Sequence, residues 1–189
     1  MKLATLAAIA TLTASAGFAQ DFGPALEGYY NSELSALGSD PAILDAVRAQ
    51  NAVTSSYDGD RIAALDRTWQ AELGQADMPT ITPVLGNALS DHLRSEVEAS
   101  RGRITEIIVM DAVGLNVAVS AATSDYWQGD EAKFTETYGA GPGALHLSDI
   151  ELDESTGRYQ GQISFPLVDP DTGSLIGAMT VGVDAEQLM

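Results

Sequence analysis

The chain has 189 residues, 45% of them hydrophobic, with 27 acidic against 9 basic residues and a formal net charge of −18. That length suits one domain with a substantial core, and a surface this acidic repels nucleic acid and anionic lipid. The absence of cysteine excludes disulfides, thiol catalysis and thiolate metal sites.

Residues 1–19 carry the three parts of an export leader: Lys2, an apolar run from Leu3 to Leu12, and small residues Gly17 and Ala19 at the −3 and −1 positions. The run is too short to span a bilayer, which takes about 20 residues. Cleavage after Ala19 is expected. It would leave residues 20–189 as a single domain in the periplasm or outside the cell, with no membrane insertion of the mature chain.

Leu26, Tyr29, Tyr30 and Leu34 recur at three- and four-residue steps, which predicts a short amphipathic helix ended by Gly38. Asp40-Pro41 supplies a cap followed by proline at the first helical position, and Ile43, Leu44, Val47 and Asn51 extend one face to about Val53. Asp60 is expected to cap a third helix with the stripe Ile62, Leu65, Trp69 and Leu73, in which Trp69 reads as a core anchor. Thr82-Pro83 should start a further helix, carrying Leu85, Leu89, Leu93 and Val97 to Gly102. His92 and His146 share no metal-ligand spacing, so no metal site is expected.

From Ile104 the period shifts towards two. Ile104–Met110, the turn Asp111-Ala112-Val113-Gly114 and Leu115–Ser120 read as a hairpin. Ala144–Leu152 is a weak strand. Tyr159, Gly161, Ile163 and Phe165 alternate with Gln160, Gln162 and Ser164, the pattern of a half-buried strand. Asp169–Gly173 begins like a calcium loop, but Thr180 stands where the closing glutamate belongs, so a hairpin turn is expected. Leu175–Val183 is the last strand, with Gly177, Ala178 and Gly182 allowing close packing. Helices followed by about five antiparallel strands make an α+β order.

No G-x-S-x-G elbow occurs, and the glycines of Gly139–Gly143 open no helix with a lysine. Neither a catalytic residue nor a cofactor is therefore expected. The stretch Ser124–Tyr138 is the distinctive one. Tyr126 and Trp127 offer aromatic walls, Gln128 and Asp130 directed hydrogen bonds, and Lys133, the one lysine after Lys2, a positive charge for a carboxylate. Together they suit a small zwitterion or carboxylate, with the aromatics and Asp130 at an ammonium end and Lys133 at the acid end. The plainer alternative has Trp127 packing the loop onto the sheet and Asp130 capping a short helix over 131–137.

The segments VMDAVGLNVAVS, TSDYWQGDEAKFTETY and QISFPLVDPDTGSLIGAMTVGVD resemble, in that order, the extracytoplasmic Cache (PDC) sensor domains, a PAS-like family. The matching features are Asp111 with Gly114, the loop from Tyr126 to Tyr138, the run Ser164-Phe165-Pro166-Leu167-Val168-Asp169, and Gly177 to Gly182. They cover roughly residues 40–186. The resemblance implies N-terminal helices packed on a curved antiparallel sheet, with a small-molecule pocket between sheet and loop. Its ligand contacts would be Tyr126, Trp127, Gln128, Asp130, Lys133, Tyr138 and Ser164. It further implies a sensor without catalysis, feeding a membrane-bound kinase or chemoreceptor. The form expected here is freestanding, since no apolar segment follows the last strand. The amino-acid-binding members carry an arginine shortly before the tryptophan, where this chain has Ser124, Asp125 and Tyr126, so the ligand stays open. The competing expectation is a ligand-free module that pairs with a membrane receptor, or with itself, through an exposed stripe of Tyr29, Tyr30 and Leu34.

Overall fold

The computed structural model describes residues 22–153 and 158–188; the expected leader lies outside them. The helical period yields α1 (Gly23–Tyr29), which continues as a π-helical turn (Tyr30–Leu34) and a 3-10 turn (Leu37–Ser39), then α2 (Pro41–Thr54), α3 (Gly59–Glu72), α4 (Ile81–Leu85) and α5 (Ala88–Ala99). The period-two half yields β1 (Ile104–Asp111), β2 (Asn116–Val119), β3 (His146–Leu147), β4 (Glu151–Asp153), β5 (Arg158–Val168) and β6 (Leu175–Asp184), with α6 (Ala132–Thr135) between β2 and β3. The six strands form one antiparallel sheet in the order β2-β1-β6-β5-β3, and β4 also pairs with β5. This is the expected α+β architecture, with the weak strand around 144–152 divided in two.

Two helix starts differ from expectation. The amide of Arg61 is capped by Asp58 at 2.9 Å, so Asp60 falls inside the first turn of α3. The helix expected from Thr82 to Gly102 is broken, because Asn87 is extended and its side chain accepts from the amide of Ser90 at 2.8 Å. An asparagine that satisfies an orphan amide starts a new helix there.

Helices α1, α2 and α5 fill one face of the sheet, here called the near face. Leu26, Ile43, Leu44, Val47, Leu89 and Leu93 meet Ile107, Val109, Ile163, Phe165, Leu167, Met179, Val181 and Val183 in one cluster. Tyr29 and Leu34 are buried in it, and the ring of Tyr30 tilts against Phe165 at 5.1 Å. The stripe that would have served pairing is thus spent in the core. At Gly177 a Cβ would lie 2.1 Å from the carbonyl oxygen of Met110, so glycine is what lets these backbones meet.

Polar residues of α2 grip the ends of the strands. Asn51 donates to the carbonyl of Ile176 at 2.7 Å and accepts from the amide of Ala112 at 2.9 Å. Gln50 donates to Asp111 at 2.9 Å. Arg48 donates through Nε to Asp169 at 2.9 Å and pairs with Asp45 at 2.9 Å and Asp171 at 3.5 Å. The calcium-like turn therefore holds a guanidinium among its carboxylates. Hydrogen bonding to Arg48, then to the amide of Asp171, lowers the Asp169 carboxyl to about 2.

Candidate functional site

Along β5 and β6, alternation with the near-face residues turns Gln162, Ser164, Ala178, Thr180 and Gly182 the other way. This far face carries two environments. Towards β2 it is apolar: Trp69 of α3, Ile81 and Val84 of α4, and Phe134 of α6 pack on Ile108, Met110, Val119 and Ala178. Trp69 is fully buried, as its reading as a core anchor requires, and Tyr126 stacks on it at 5.1 Å and 5°. Phe134 and Tyr138 stack at 5.0 Å. Burial first, then the charge of Asp111 and the nearby Tyr57, raises the Tyr126 phenol to about 12.

The loop is fastened from two sides. From α3, Asp66 Oδ1 accepts from the amides of Tyr126 at 2.9 Å and Trp127 at 3.0 Å, Trp69 Nε1 donates to the carbonyl of Thr123 at 2.8 Å, and Gln70 donates to Asp125 at 2.6 Å. From the β1–β2 turn, Trp127 Nε1 donates to the carbonyl of Val113 at 2.8 Å, and Leu115 and Trp127 form an isolated antiparallel bridge. The turn is itself built by Asp111, fully buried, whose Oδ1 accepts from the amides of Val113 and Leu115. Gly114 has φ 85°, and a Cβ there would lie 2.6 Å from Gly129 Cα. At Gly129 a Cβ would lie 2.3 Å from the indole nitrogen of Trp127. The aspartate-x-x-glycine motif thus shapes the seat of Trp127.

The candidate ligand residues divide into groups. Tyr126 and Tyr138 pack against the apolar cluster of the far face, and Ser164 is fully buried there, its hydroxyl 3.0 Å from that of Thr180. Gln128, 1% exposed, accepts from Lys133 Nζ at 3.2 Å, and Lys133 also pairs with Glu131 at 3.0 Å. The lysine read as a free charge is therefore held inside the loop, its side chain 12% exposed. Trp127 and Asp130 lie apart, lining a shallow cleft of about 460 Å³ with Asp66, Arg67 and Gln70. Asp130 caps no helix: α6 starts after Glu131, without a side-chain cap.

Farther along the far face the sheet is uncovered. A cleft of about 470 Å³ is lined by Glu106, His146, Ser148, Asp149, Glu151, Gln160, Gln162 and Gly182. Glu106 accepts from Gln162 at 3.3 Å, and His146 Nδ1 shares a hydrogen bond of 2.8 Å with Glu136, just past α6. Register places the cleft beside the buried hydroxyl pair, since Ser164 sits opposite both His146 and Thr180. A third cavity, about 610 Å³ and mostly apolar, lies between α2, α3 and β2 and is lined by Ala49, Val53, Tyr57, Leu65 and Tyr126. Among the described residues no group of three or more His, Asp or Glu is placed to hold a metal ion. Nor is any helix among them long and apolar enough to cross a membrane.

Asp66, Gln70 and the cleft residues carry no motif, and sequence reading passes over them. The one available signal was the spacing of Asp66, Trp69 and Gln70, which puts two polar groups beside a core tryptophan on one helical face.

No protein-family model matches the chain, and no curated protein matches it. Solved structures do. The ligand-binding domain of a Campylobacter jejuni chemoreceptor in complex with 4-methylisoleucine is 13% identical at a TM-score of 0.41, over 88% of this chain and 61% of that one. The ligand-binding domain of a Pseudomonas aeruginosa amino acid chemoreceptor in complex with GABA is 16% identical at 0.38, over 84% and 62%. The sensor domain of the V. cholerae histidine kinase DctB is 18% identical at 0.34, over 87% and 59%. The chain spans about three fifths of the length of each of these proteins.

Proposed function

We propose that the chain is an exported Cache-type sensor domain that binds a small ligand on the far face of its sheet, without catalysis, and passes the signal to a membrane-bound kinase or chemoreceptor. The observation that carries this reading is the far face itself. An open cleft with donors and acceptors on its floor runs into a buried pair of hydroxyls beneath an aromatic loop. A face built only for stability would be apolar throughout, as the near face is. In this reading Gln162 and His146 meet the ligand first. Ser164, Tyr126, Tyr138, Gln128 and Lys133 complete the contact, and Trp127 and Asp130 shape the loop from outside.

A thermal-shift screen of small carboxylates, amines and zwitterions tests the proposal. A ligand at 100 times its dissociation constant should add about 2.7 kcal/mol. Gln162→Leu should abolish that shift, and His92→Gln, away from the far face, should keep it. The reading fails if no compound stabilises the protein, or if the shift survives Gln162→Leu and Ser164→Ala together.

A further inference from the structure

We propose that Thr123 to Tyr138 form a lid over the far face, which swings on the glycine run Gly139–Gly143 and is held shut by clasps to α3 and β3. The pivot lies at the far end of this run, because the amides of Gly139, Ala140 and Gly141 bond back to the carbonyls of Phe134 and Thr137. Gly141 and Gly143 have φ of 111° and 81°, and a Cβ at either would meet nothing within 4 Å. At the other end Ala121 and Ala122 are small and exposed. Between these ends the lid is fastened by discrete contacts that can let go: the Asp66 carboxylate on two amides, the Trp69–Tyr126 stack, and the Glu136–His146 clasp across the hinge. To the β1–β2 hairpin it is held by the short Leu115–Trp127 bridge, by Trp127 Nε1 on the carbonyl of Val113, and by the Asn116 side chain on Thr123 and Asp125. Its helix α6 lies against β5, where Ser164 is fully buried and bonded to Thr180. A hydroxyl pair sealed under a stacked aromatic loop reaches a solute only when the loop lifts.

Lid opening deepens the proposed function by giving the route to the buried half of the site, but it is tested with no ligand present. Because the chain has no cysteine, a single Ser164→Cys variant reports on the lid through its rate of reaction with a thiol reagent. Val181→Cys, on the near face, reports on global unfolding. Each rate is read against that variant's own urea-unfolding curve. The thiol at 164 should react at least about tenfold ahead of the rate set by global unfolding, with little dependence on dilute urea, as local opening requires. Asp66→Ala should speed it about tenfold or more, and Glu136→Gln about two- to fivefold, while neither changes the unfolding-corrected rate at 181. The lid is overturned if both thiols react only with global unfolding, or if the rate at 164 ignores both clasp variants. Failure of the ligand screen would leave these rates untouched, so the two ideas fall separately.

Discussion

The two faces of one sheet are built on different plans. The near face is a continuous apolar surface closed by helices whose stripes repeat every three to four residues. The far face is closed by pieces distant in sequence, α3 and α4 and the loop from 123 to 138, joined by hydrogen bonds to backbone groups and by stacked rings. Contact area rules the first, and a few directed bonds rule the second. A surface of the first kind unfolds only with the whole domain; one of the second kind can open in part.

Substitutions of equal chemistry on the two faces test that contrast most strongly. Phe165→Ala, on the near face, should cost about 3–5 kcal/mol in urea unfolding with an unchanged m-value. Phe134→Ala should cost distinctly less, about 1–3 kcal/mol, because the lid can detach rather than leave a sealed cavity. Equal costs would mean that the faces form one cooperative unit. Next, Gly129→Ala should destabilise by about 1–3 kcal/mol through overlap with the indole, and red-shift tryptophan emission as Trp127 is displaced. Gly28→Ala, on an open helix surface, should instead stabilise by up to about 1 kcal/mol.

A smaller effect depends on pH. The carboxyl of Asp169 is held down at about 2 by Arg48, below the value of about 3.9 for an unfolded chain. Its stabilisation is therefore fully present above the unfolded value and is lost as pH falls through the folded one. Arg48→Met should be less stable than the parent near neutral pH, with the gap closing between about pH 4 and pH 2; thermal melts across that range would show it. Glu72 acts in the same direction. Burial alone would raise its carboxyl, but bonds from Thr80 and the amide of Ile81 outweigh it and leave the group below its ordinary value. The smallest effect belongs to the half-buried pair of His92 and Asp40, where His92→Gln should change stability by no more than about 1 kcal/mol.

This contrast also explains what could be read without coordinates. The near face was legible because each of its residues obeys a period: Ile43 and Val47 on a helix, Ile163, Phe165 and Leu167 on a strand. The breaks were less so. Asn87 ends one helix and starts another through a single side-chain bond, which competes on equal terms with the Thr82-Pro83 signal until tertiary contacts decide. In the loop the residue types were visible but their partners were not. Lys133 reads as a free charge until Gln128 and Glu131 are placed beside it, and Asp66 carries no signal until two amides converge on it. The Asp66 pairings span about sixty residues and leave no local trace in a single chain, whereas those of Lys133 are local and depend on how the loop turns.

The outer rim of β2 has a consequence for assembly. A sheet normally offers two rims to another chain, and head-to-tail addition at both produces a fibre. Here the carbonyl of Val117 already accepts from the side chain of Asn87 at 3.0 Å, and the amide of Val119 already donates to Ser90 Oγ at 3.0 Å. With that rim occupied, strand addition is confined to the opposite side of the sheet. Among the described residues that leaves the β3–β4 side, and two copies pairing through it would stop growth at a pair.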